Sequence, residues 1–441
     1  MASIEKRVSE AILAVIRARR TAPSARSDSP VGSSIRSARV REAQLSDYKA
    51  VTELKTRWGL IPDSFENWER LWIHNPASQQ MQPSRPIGWV LEAERKVVGY
   101  LGNIPSLYRF GDKTLTAVTG SGLVVEPAFR AVSMSLIAAY YRQKDVDLYL
   151  TTTAIEAVGK VARAFKSDPL PQEDYETVLF WVLRPYAFAR ALMRKLQVKP
   201  AFSYVFSGLI SAAMATDKIA RRRKPTGSAK SLEVCEIGVP EIGDEFGELW
   251  LEKLTEGTRL LADRTGATLR WHFETPGDRG TTRVLCCRQK GRLVGYLVIR
   301  DDPGQLSGLR RSLIADILVR QDDPEILKAL MVRAYEHAQY AGSHILEVLG
   351  FPGNVRRVCS QWNPYRRKYP ACPFYYKARD PALHKVLASS GAWYASPYDG
   401  DATLMPFLDG TTGDAENFPR ETTTLQTVYA SALDSRSDGK I

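Results

Sequence analysis

Residues 123–136 read LVVEPAFRAVSMSL, and this stretch predicts a strand that passes directly into a helix. Leu123, Val124 and Val125 form the apolar end of the strand, and Pro127 stops strand pairing because it has no N–H to donate. From about Arg130 onward, apolar residues recur at helical spacing. Backbone N–H groups and the positive end of the helix dipole would face the connecting loop, which favours a bound phosphate there.

The same stretch resembles the acyl-CoA site of the GNAT superfamily of N-acetyltransferases. The family pattern is a hydrophobic strand, then V-x-P-x-[YF]-R, then a loop that binds the pyrophosphate of coenzyme A, and Val125, Pro127, Phe129 and Arg130 match it. The resemblance implies acetyl-CoA or another acyl-CoA as cosubstrate. It also implies a binding site made of Leu123, Val124, Val125, Arg130, Ala131, Val132, Ser133, Met134 and Ser135.

One departure from the family pattern concerns the loop itself. Ser133 and Ser135 stand where the family has glycine, and serine tolerates a positive φ poorly. The departure leaves two alternatives open, a weakened or rebuilt pyrophosphate site and an ordinary strand–turn–helix that binds no ligand.

Composition sets broad limits on the class of protein. The 441 residues suggest two or three domains, and the apolar content of 44% and charged content of 25% are typical of a globular protein. The five cysteines are too few and too irregular for a disulfide framework, and no C-x-x-C pair is present. We therefore expect reduced thiols, a cytoplasmic location and no structural metal.

The net charge of +12 is concentrated in residues 1–42 and 217–230. Such a balance suits nucleic acid, anionic lipid or a phosphorylated cofactor, but no nucleic-acid-binding motif accompanies it, so no nucleic acid partner is expected. Residues 1–20 predict a basic amphipathic helix, which either makes a peripheral contact with the inner face of the membrane or is simply solvated. Residues 21–37 predict a flexible linker.

The order of the predicted elements agrees with the resemblance. From residue 38 to residue 199 it runs strand, two helices, several antiparallel strands, the proposed acyl-CoA loop, helix, strand, helix, strand. This is the order of the GNAT fold. Residues 200–230 predict a connector helix and a basic linker, because the uncharged run at 200–216 is too short and too diluted by Ser, Thr and Gly to span a membrane.

The second half repeats the first in outline. Val-Gly-Tyr-Leu occurs at residues 98–101 and again at 294–297, each time in a predicted strand. We therefore predict a mixed α/β (α+β) protein with two tandem GNAT-like (acyl-CoA N-acyltransferase) domains, at 38–199 and 231–410, whose sheets are largely antiparallel. Residues 411–441 predict a disordered tail.

Candidate catalytic groups are few. The strand before the loop carries no carboxylate, so the base candidates are Glu126, just past that strand, and Asp316, an acid inside an apolar strand of the second half. Asp316 could equally be a salt-bridged structural acid. The second half has acidic residues where a phosphate loop would stand. This suggests that the first half binds the cofactor and the second half shapes the acceptor pocket.

The sequence therefore predicts an N-acyltransferase that moves an acetyl or other acyl group to an amino group, for example of an amino sugar or another polysaccharide precursor. Tandem arrangements of this kind resemble exopolysaccharide-associated acyltransferases, which implies a small-molecule or glycan amine as partner. Two alternatives stay open, a catalytically inactive GNAT-like binding protein and a scaffold of a glycan or membrane-surface pathway.

Overall fold

The computed structural model describes residues 38–81, 85–196, 198–227, 231–276, 281–304, 308–369 and 373–404. The predicted helix and linker at 1–37 and the predicted tail at 411–441 lie outside these ranges, so both stay predictions.

The first part of the chain builds most of one sheet and the helices that cover it. Its elements are β1 (Arg39–Glu42), α1 (Tyr48–Arg57), α2 (Phe65–Trp72), α3 (Pro76–Gln80), β2 (Gly88–Ala93), β3 (Lys96–Phe110), β4 (Lys113–Val125), α4 (Met134–Tyr141), β5 (Leu148–Thr151), α5 (Glu156–Ala164) and β6 (Asp168–Pro169). Short 3₁₀ turns precede α1 and α4.

The rest of the chain builds most of a second sheet and adds two short strands to the first. Its elements are β7 (Thr177–Val182), α6 (Pro185–Lys195), α7 (Pro200–Ala220), β8 (Glu233–Ile237), α8 (Glu245–Thr255), β9 (Leu261–Ala262), α9 (Gly266–Phe273), β10 (Thr282–Gln289), β11 (Arg292–Asp302), β12 (Arg311–Val319), α10 (Pro324–Tyr340), β13 (Ile345–Val348), α11 (Gly353–Ser360), β14 (Tyr365–Lys368), β15 (Tyr375–Ala378) and α12 (Pro381–Leu387).

The two sheets have the same layout. The first has the strand order β1-β2-β3-β4-β5-β15-β6, and the second, taken from its opposite edge, has the order β8-β10-β11-β12-β13-β7-β14. In each sheet one neighbouring pair is parallel, β4 with β5 and β12 with β13, and the other pairs are antiparallel. The prediction of a mixed α/β fold with largely antiparallel sheets is confirmed.

The sheets exchange a strand. β7 lies in the second sheet between β13 and β14, and β15 lies in the first sheet between β5 and β6. The predicted limits of 38–199 and 231–410 divide the chain by position, whereas β7 of the first range pairs in the second sheet and β15 of the second range pairs in the first. Local sequence patterns predict that a strand forms, but they carry no information about which distant edge it joins.

The sheets also share a hydrophobic core. One continuous cluster contains Leu115 and Leu148 from the first sheet, Val284 and Tyr296 from the second, and Trp393 from the segment after α12. The described part of the chain is therefore held together by pairing and by packing across both sheets.

β3 is one continuous strand of 15 residues, although it contains Pro105, which lacks an N–H. On one side of β3, Pro105 pairs with Val118 of β4. On the other side, β3 pairs with β2 up to Gly102 and with β9 from Tyr108 onward. Pro105 lies in the gap between these two pairings. No ladder hydrogen bond is lost on that open side.

The repeated Val-Gly-Tyr-Leu motif has the same place in both sheets. Gly99 on β3 pairs with Val125 at the end of β4, and Gly295 on β11 pairs with Val319 at the end of β12. A Cβ added to Gly99 would lie 3.2 Å from Leu136 of α4, and one added to Gly295 would lie 2.7 Å from Ile326 of α10. Glycine is needed at both positions because the covering helix lies against the strand. Two copies of one unit would produce this repetition, and the duplication itself stays a prediction.

α7 forms the predicted connector between the halves. It is 21 residues long and packs against α6. Among the described helices, none is both long enough and apolar enough to cross a membrane.

Candidate functional site

An opening separates β4 from β5 at the edge where α4 begins. The two strands pair only over Ala117–Thr119 and Leu148–Leu150. Beyond Thr119, β4 continues to Val125 along β3, whereas β5 ends at Thr151. The backbone groups of β4 that face β5 over residues 120–125 therefore have no strand partner on that side among the described residues. A ligand chain can enter between the strands there.

β4 bulges at this opening. The pairs Tyr100–Val124 and Gly102–Ser121 leave Gly122 and Leu123 opposite the single residue Leu101, and Gly122 has a φ of +64°. A left-handed residue opposite an otherwise regular strand is the geometry of a bulge that starts with glycine. Bulges redirect the side chains around them, and this one lies where the opening begins.

A cavity of about 900 Å³ extends from this opening into the space between the two sheets. Its first wall includes Gly120, Ser121, Gly122 and Leu123 of β4, together with Thr151 and Thr153. Its lining is largely apolar, and its size lies within the range of small-molecule sites.

The loop that follows β4 differs in shape from the prediction. Residues Pro127–Val132 form a 3₁₀ helix, and α4 begins at Met134 instead of near Arg130. Ser133 has a φ of −58°, and no residue from 126 to 135 has a positive φ. Serine in place of glycine therefore causes no backbone strain here, which removes the reason for expecting a damaged loop.

The nine predicted cofactor-binding residues fall into two groups. Leu123, Val124, Val125, Arg130 and Ser133 line the cavity. Ala131, Val132, Met134 and Ser135 are on the same loop but are not part of the cavity wall. The binding role of the set stays a prediction.

Two cations border the mouth of the cavity. Arg57 pairs with Glu126, with 2.5 Å between the guanidinium and carboxylate atoms. Arg130 is exposed, and no carboxylate in the described part of the chain lies within salt-bridge distance of it. An exposed guanidinium at the start of a helix is well placed to pair with a phosphate.

A buried ion pair forms part of the cavity wall beside the bulge. Nζ of Lys55 lies 2.7 Å from a carboxylate oxygen of Asp63, and both side chains line the cavity. The other oxygen of Asp63 accepts a hydrogen bond from Asn67. A Cβ on Gly122 would lie 3.2 Å from Cε of Lys55, so the ammonium group is next to the bulge.

Asp401 is the carboxylate that the sequence analysis missed. It is buried in the cavity wall, where its oxygens accept hydrogen bonds from Thr152 at 3.0 Å and Thr153 at 3.4 Å, just past the end of β5. Burial raises the pKa of Asp401, against the opposing effect of hydrogen bonds from the hydroxyls of Ser121, Thr152 and Thr153. The carboxylate therefore lies between the two strands that separate.

The only local signal for Asp401 is its place in a polar segment, Ser396-Pro-Tyr-Asp-Gly-Asp401, which reads as a turn. Gly400 precedes it, and a Cβ there would collide with Thr152. Thr152 and Asp401 are 249 residues apart in the chain, so local sequence patterns could not predict that they are in contact.

The two predicted bases are occupied elsewhere. Asp316 is fully buried, accepts hydrogen bonds from Arg264, Tyr296 and Ser396, and does not line the cavity. Glu126 pairs with Arg57 and is likewise absent from the cavity wall. These contacts support the structural alternative for Asp316, and they give no support to either residue as a base.

Two tyrosines of α4, Tyr140 and Tyr141, line the cavity. The Tyr140 hydroxyl lies 2.9 Å from the carbonyl oxygens of Val118 and Leu150, at the point where β4 and β5 separate. Tyr141 hydrogen-bonds Ser167, and burial raises its pKa, so its phenol stays protonated at neutral pH.

The second sheet supplies the far wall of the cavity. Leu313, Ile314 and Ala315 of β12 line it next to Arg311 and Glu347. Glu347 is buried, with one oxygen 2.6 Å from Arg367 and the other 3.8 Å from Arg311. Charged groups on this wall can orient a polar acceptor, which is the role predicted for the second half.

Within the described ranges, no three His, Cys, Asp or Glu side chains group closely enough to hold a metal ion.

No known protein-family profile and no curated protein matches the chain. Among solved structures, it is similar to a GCN5-related N-acetyltransferase from Anabaena variabilis, with a TM-score of 0.50, 10% identity, and coverage of 78% of this chain and 73% of the other. It is also similar to a conserved protein from Enterococcus faecalis described as a probable N-acyltransferase, with a TM-score of 0.51, 9% identity, and coverage of 77% and 72%. At such identities the likeness concerns the fold alone. The chain therefore has the fold of the GCN5-related N-acetyltransferases.

Proposed function

We propose that the protein is an N-acyltransferase that moves an acyl group from an acyl-CoA to an amine. The observation that carries the proposal is the opening between β4 and β5, which leads into a cavity with a buried carboxylate, Asp401, in its wall. The pantetheine arm would enter between the strands, and the diphosphate would lie at the loop next to Arg130 and Ser133.

The chemistry assigns a role to each group. The amine nitrogen attacks the thioester carbonyl carbon, the C–S bond breaks and an amide bond forms. Asp401 takes the proton that the amine gives up, and the phenol of Tyr141 gives a proton to the departing thiolate. The ammonium of Lys55, next to the bulge, stabilises the negative charge that develops on the carbonyl oxygen. A neutral amide and a thiol leave the site.

The lining of the cavity supports an acyl group larger than acetyl. Apolar side chains of α5 and β12, among them Val158, Val161, Leu313 and Ile314, contribute to the wall. An acetyl group would leave most of this apolar surface uncovered, whereas a longer chain would remove it from water. The amino-sugar acceptor and the link to exopolysaccharide synthesis stay predictions from sequence resemblance.

Calorimetric titration with acetyl-CoA and with octanoyl-CoA tests the proposal. Ser133→Glu places a negative charge in the cavity wall where the diphosphate is expected, so we expect loss of acyl-CoA binding without loss of folding. Ala128→Glu is the matched control, because it adds the same charge to the same loop at an exposed position outside the cavity wall. Equal affinity of the wild type and Ser133→Glu, or no binding by the wild type, would contradict the proposal.

A further inference from the structure

α7 presents an apolar face to solvent. Phe202, Val205, Phe206 and Leu209 are 59%, 63%, 48% and 64% exposed. Their spacing of three and four residues places them side by side on one face of the helix. Ala212, Ala213 and Ile219 are also exposed and extend the uncharged surface along the helix.

The opposite face, which packs against the protein, is the more polar one. Ser203 and Ser207 are buried, and the hydroxyl of Ser207 has no hydrogen-bond partner in the described part of the chain. A helix on the surface of a water-exposed protein normally turns its apolar stripe inward and its polar residues outward. Over its first three turns, α7 instead turns its apolar stripe outward and buries its serines.

The adjacent helix α6 also carries exposed apolar side chains. Tyr186 is exposed near the start of α6 and Leu196 just past its end, and the guanidinium of Arg190 stacks on the ring of Tyr204 at 3.9 Å. Large exposed apolar side chains thus occur on both of these neighbouring helices. Contiguous exposed apolar surface of this kind marks a binding site for a protein or a lipid surface.

The charges around the patch have one sign. Residues 200–216 contain no charged residue, and Lys218, Arg221, Arg222, Arg223 and Lys224 follow. Asp217, the acid nearest to them in sequence, is already paired with Arg221 and Arg223. Arg222 and Lys224 are exposed, and neither pairs with a carboxylate among the residues that the structure describes.

We propose that α7 lies in the interface of an anionic membrane, with its apolar face among the acyl chains and its C-terminal cations at the headgroups. Apolar residues on one face next to clustered cations are the pattern of helices that lie in the plane of a bilayer. At 1.5 Å per residue the helix is about 30 Å long, and none of the described helices can cross a membrane. The exposed cations after the helix complement anionic headgroups, which favours anionic lipid as the occupant.

Vesicle flotation of the full-length protein tests the proposal. We expect the wild type to float with vesicles of phosphatidylcholine and phosphatidylglycerol and to bind pure phosphatidylcholine more weakly. Phe206→Ser combined with Leu209→Ser should weaken binding by about tenfold or more, because both side chains lose their apolar contact with lipid. Both residues are exposed, so the circular dichroism spectrum and melting temperature should be unchanged.

Tyr340→Ser is the matched control, since Tyr340 is 96% exposed on α10 and is not part of the patch. It should bind as the wild type does. Arg221→Gln combined with Arg222→Gln should reduce binding to the anionic vesicles and leave binding to phosphatidylcholine unchanged.

Three outcomes would overturn the proposal. The wild type could fail to float with anionic vesicles. The Phe206→Ser/Leu209→Ser variant could bind as tightly as the wild type, which would assign membrane contact to another segment such as residues 1–20. Alternatively, the wild type could form a dimer on gel filtration that the same variant abolishes, which would assign the face to a second copy.

Discussion

Replacing Asp316 by asparagine should destabilise the protein and leave its catalysis intact. The carboxylate accepts four hydrogen bonds, from Nε and Nη2 of Arg264 at 2.9 and 3.1 Å, and from Tyr296 and Ser396 at 2.8 Å each. All of these donors surround a site that water does not reach. An asparagine amide presents one oxygen, so its NH₂ group must face a hydroxyl, which can turn to accept, and a guanidinium nitrogen of Arg264, which cannot. One hydrogen bond to Arg264 is therefore lost.

The size of the effect follows from the lost charge. Arg264 is fully buried and would keep only the carboxylate of Asp399, at 3.4 Å. Removing one partner of a buried ion pair costs about 3–5 kcal/mol, because the remaining charge is left without compensation. We expect a loss of that size in the free energy of unfolding.

Urea unfolding followed by tryptophan fluorescence measures the stability, and acyl transfer per folded molecule measures the catalysis. The reasoning would be refuted if Asp316→Asn kept the stability of the wild type and lost its turnover. That result would restore Asp316 as a catalytic base.

Three further predictions concern the cavity. Burial raises the pKa of Asp401, so the wild-type rate of acyl transfer should increase with pH as the Asp401 carboxyl loses its proton. Asp401→Asn should lower this rate by about 10²–10⁴-fold and abolish its increase with pH. A carboxyl group whose pKa is higher in the folded state destabilises the protein at a pH above the pKa that it has in the unfolded state. The melting temperature of Asp401→Asn at neutral pH, measured by calorimetry, should therefore be no lower than that of the wild type. Gly122→Ala places a Cβ 3.2 Å from Lys55 at a φ of +64° and should weaken acyl-CoA binding in calorimetric titration. Gly111→Ala is the control, because Gly111 has a φ of +57° in an open turn. It should lower the stability by a similar amount and leave acyl-CoA binding unchanged. Octanoyl-CoA should bind more tightly than acetyl-CoA, and equal affinities would show that the apolar wall does not contact the acyl chain.

Much of the fold was accessible from the sequence because it depends on local patterns. The apolar run at 123–125 before Pro127 predicted the end of β4, and helical spacing after the loop predicted α4 with a start displaced by a few residues. Gly99 and Gly295 marked equivalent positions in the two halves. These features depend on residues that are close in the chain or on the same strand.

The remaining features depend on distant parts of the chain. The partner of β7 is 163 residues away at its closest register pair, Val182 with Ile345, and nothing in the sequence of β7 specifies that edge. Asp401 can be identified as a candidate site residue only from its hydrogen bond with Thr152, just past the end of β5. Asp316 was correctly identified as unusual, but its three partners come from three other segments, so its alternatives could not be separated beforehand.

The exchange of β7 and β15 determines how the polypeptide can be assembled and cut. During synthesis the first sheet lacks an internal strand until residues Tyr375–Ala378 have left the ribosome, so neither half is expected to reach its final form on its own. A protease cut between residues 221 and 232 would sever the backbone but not separate the fragments, because each holds a strand of the other's sheet. Either half expressed without the other should therefore aggregate, and mixing the two during refolding should restore a single particle.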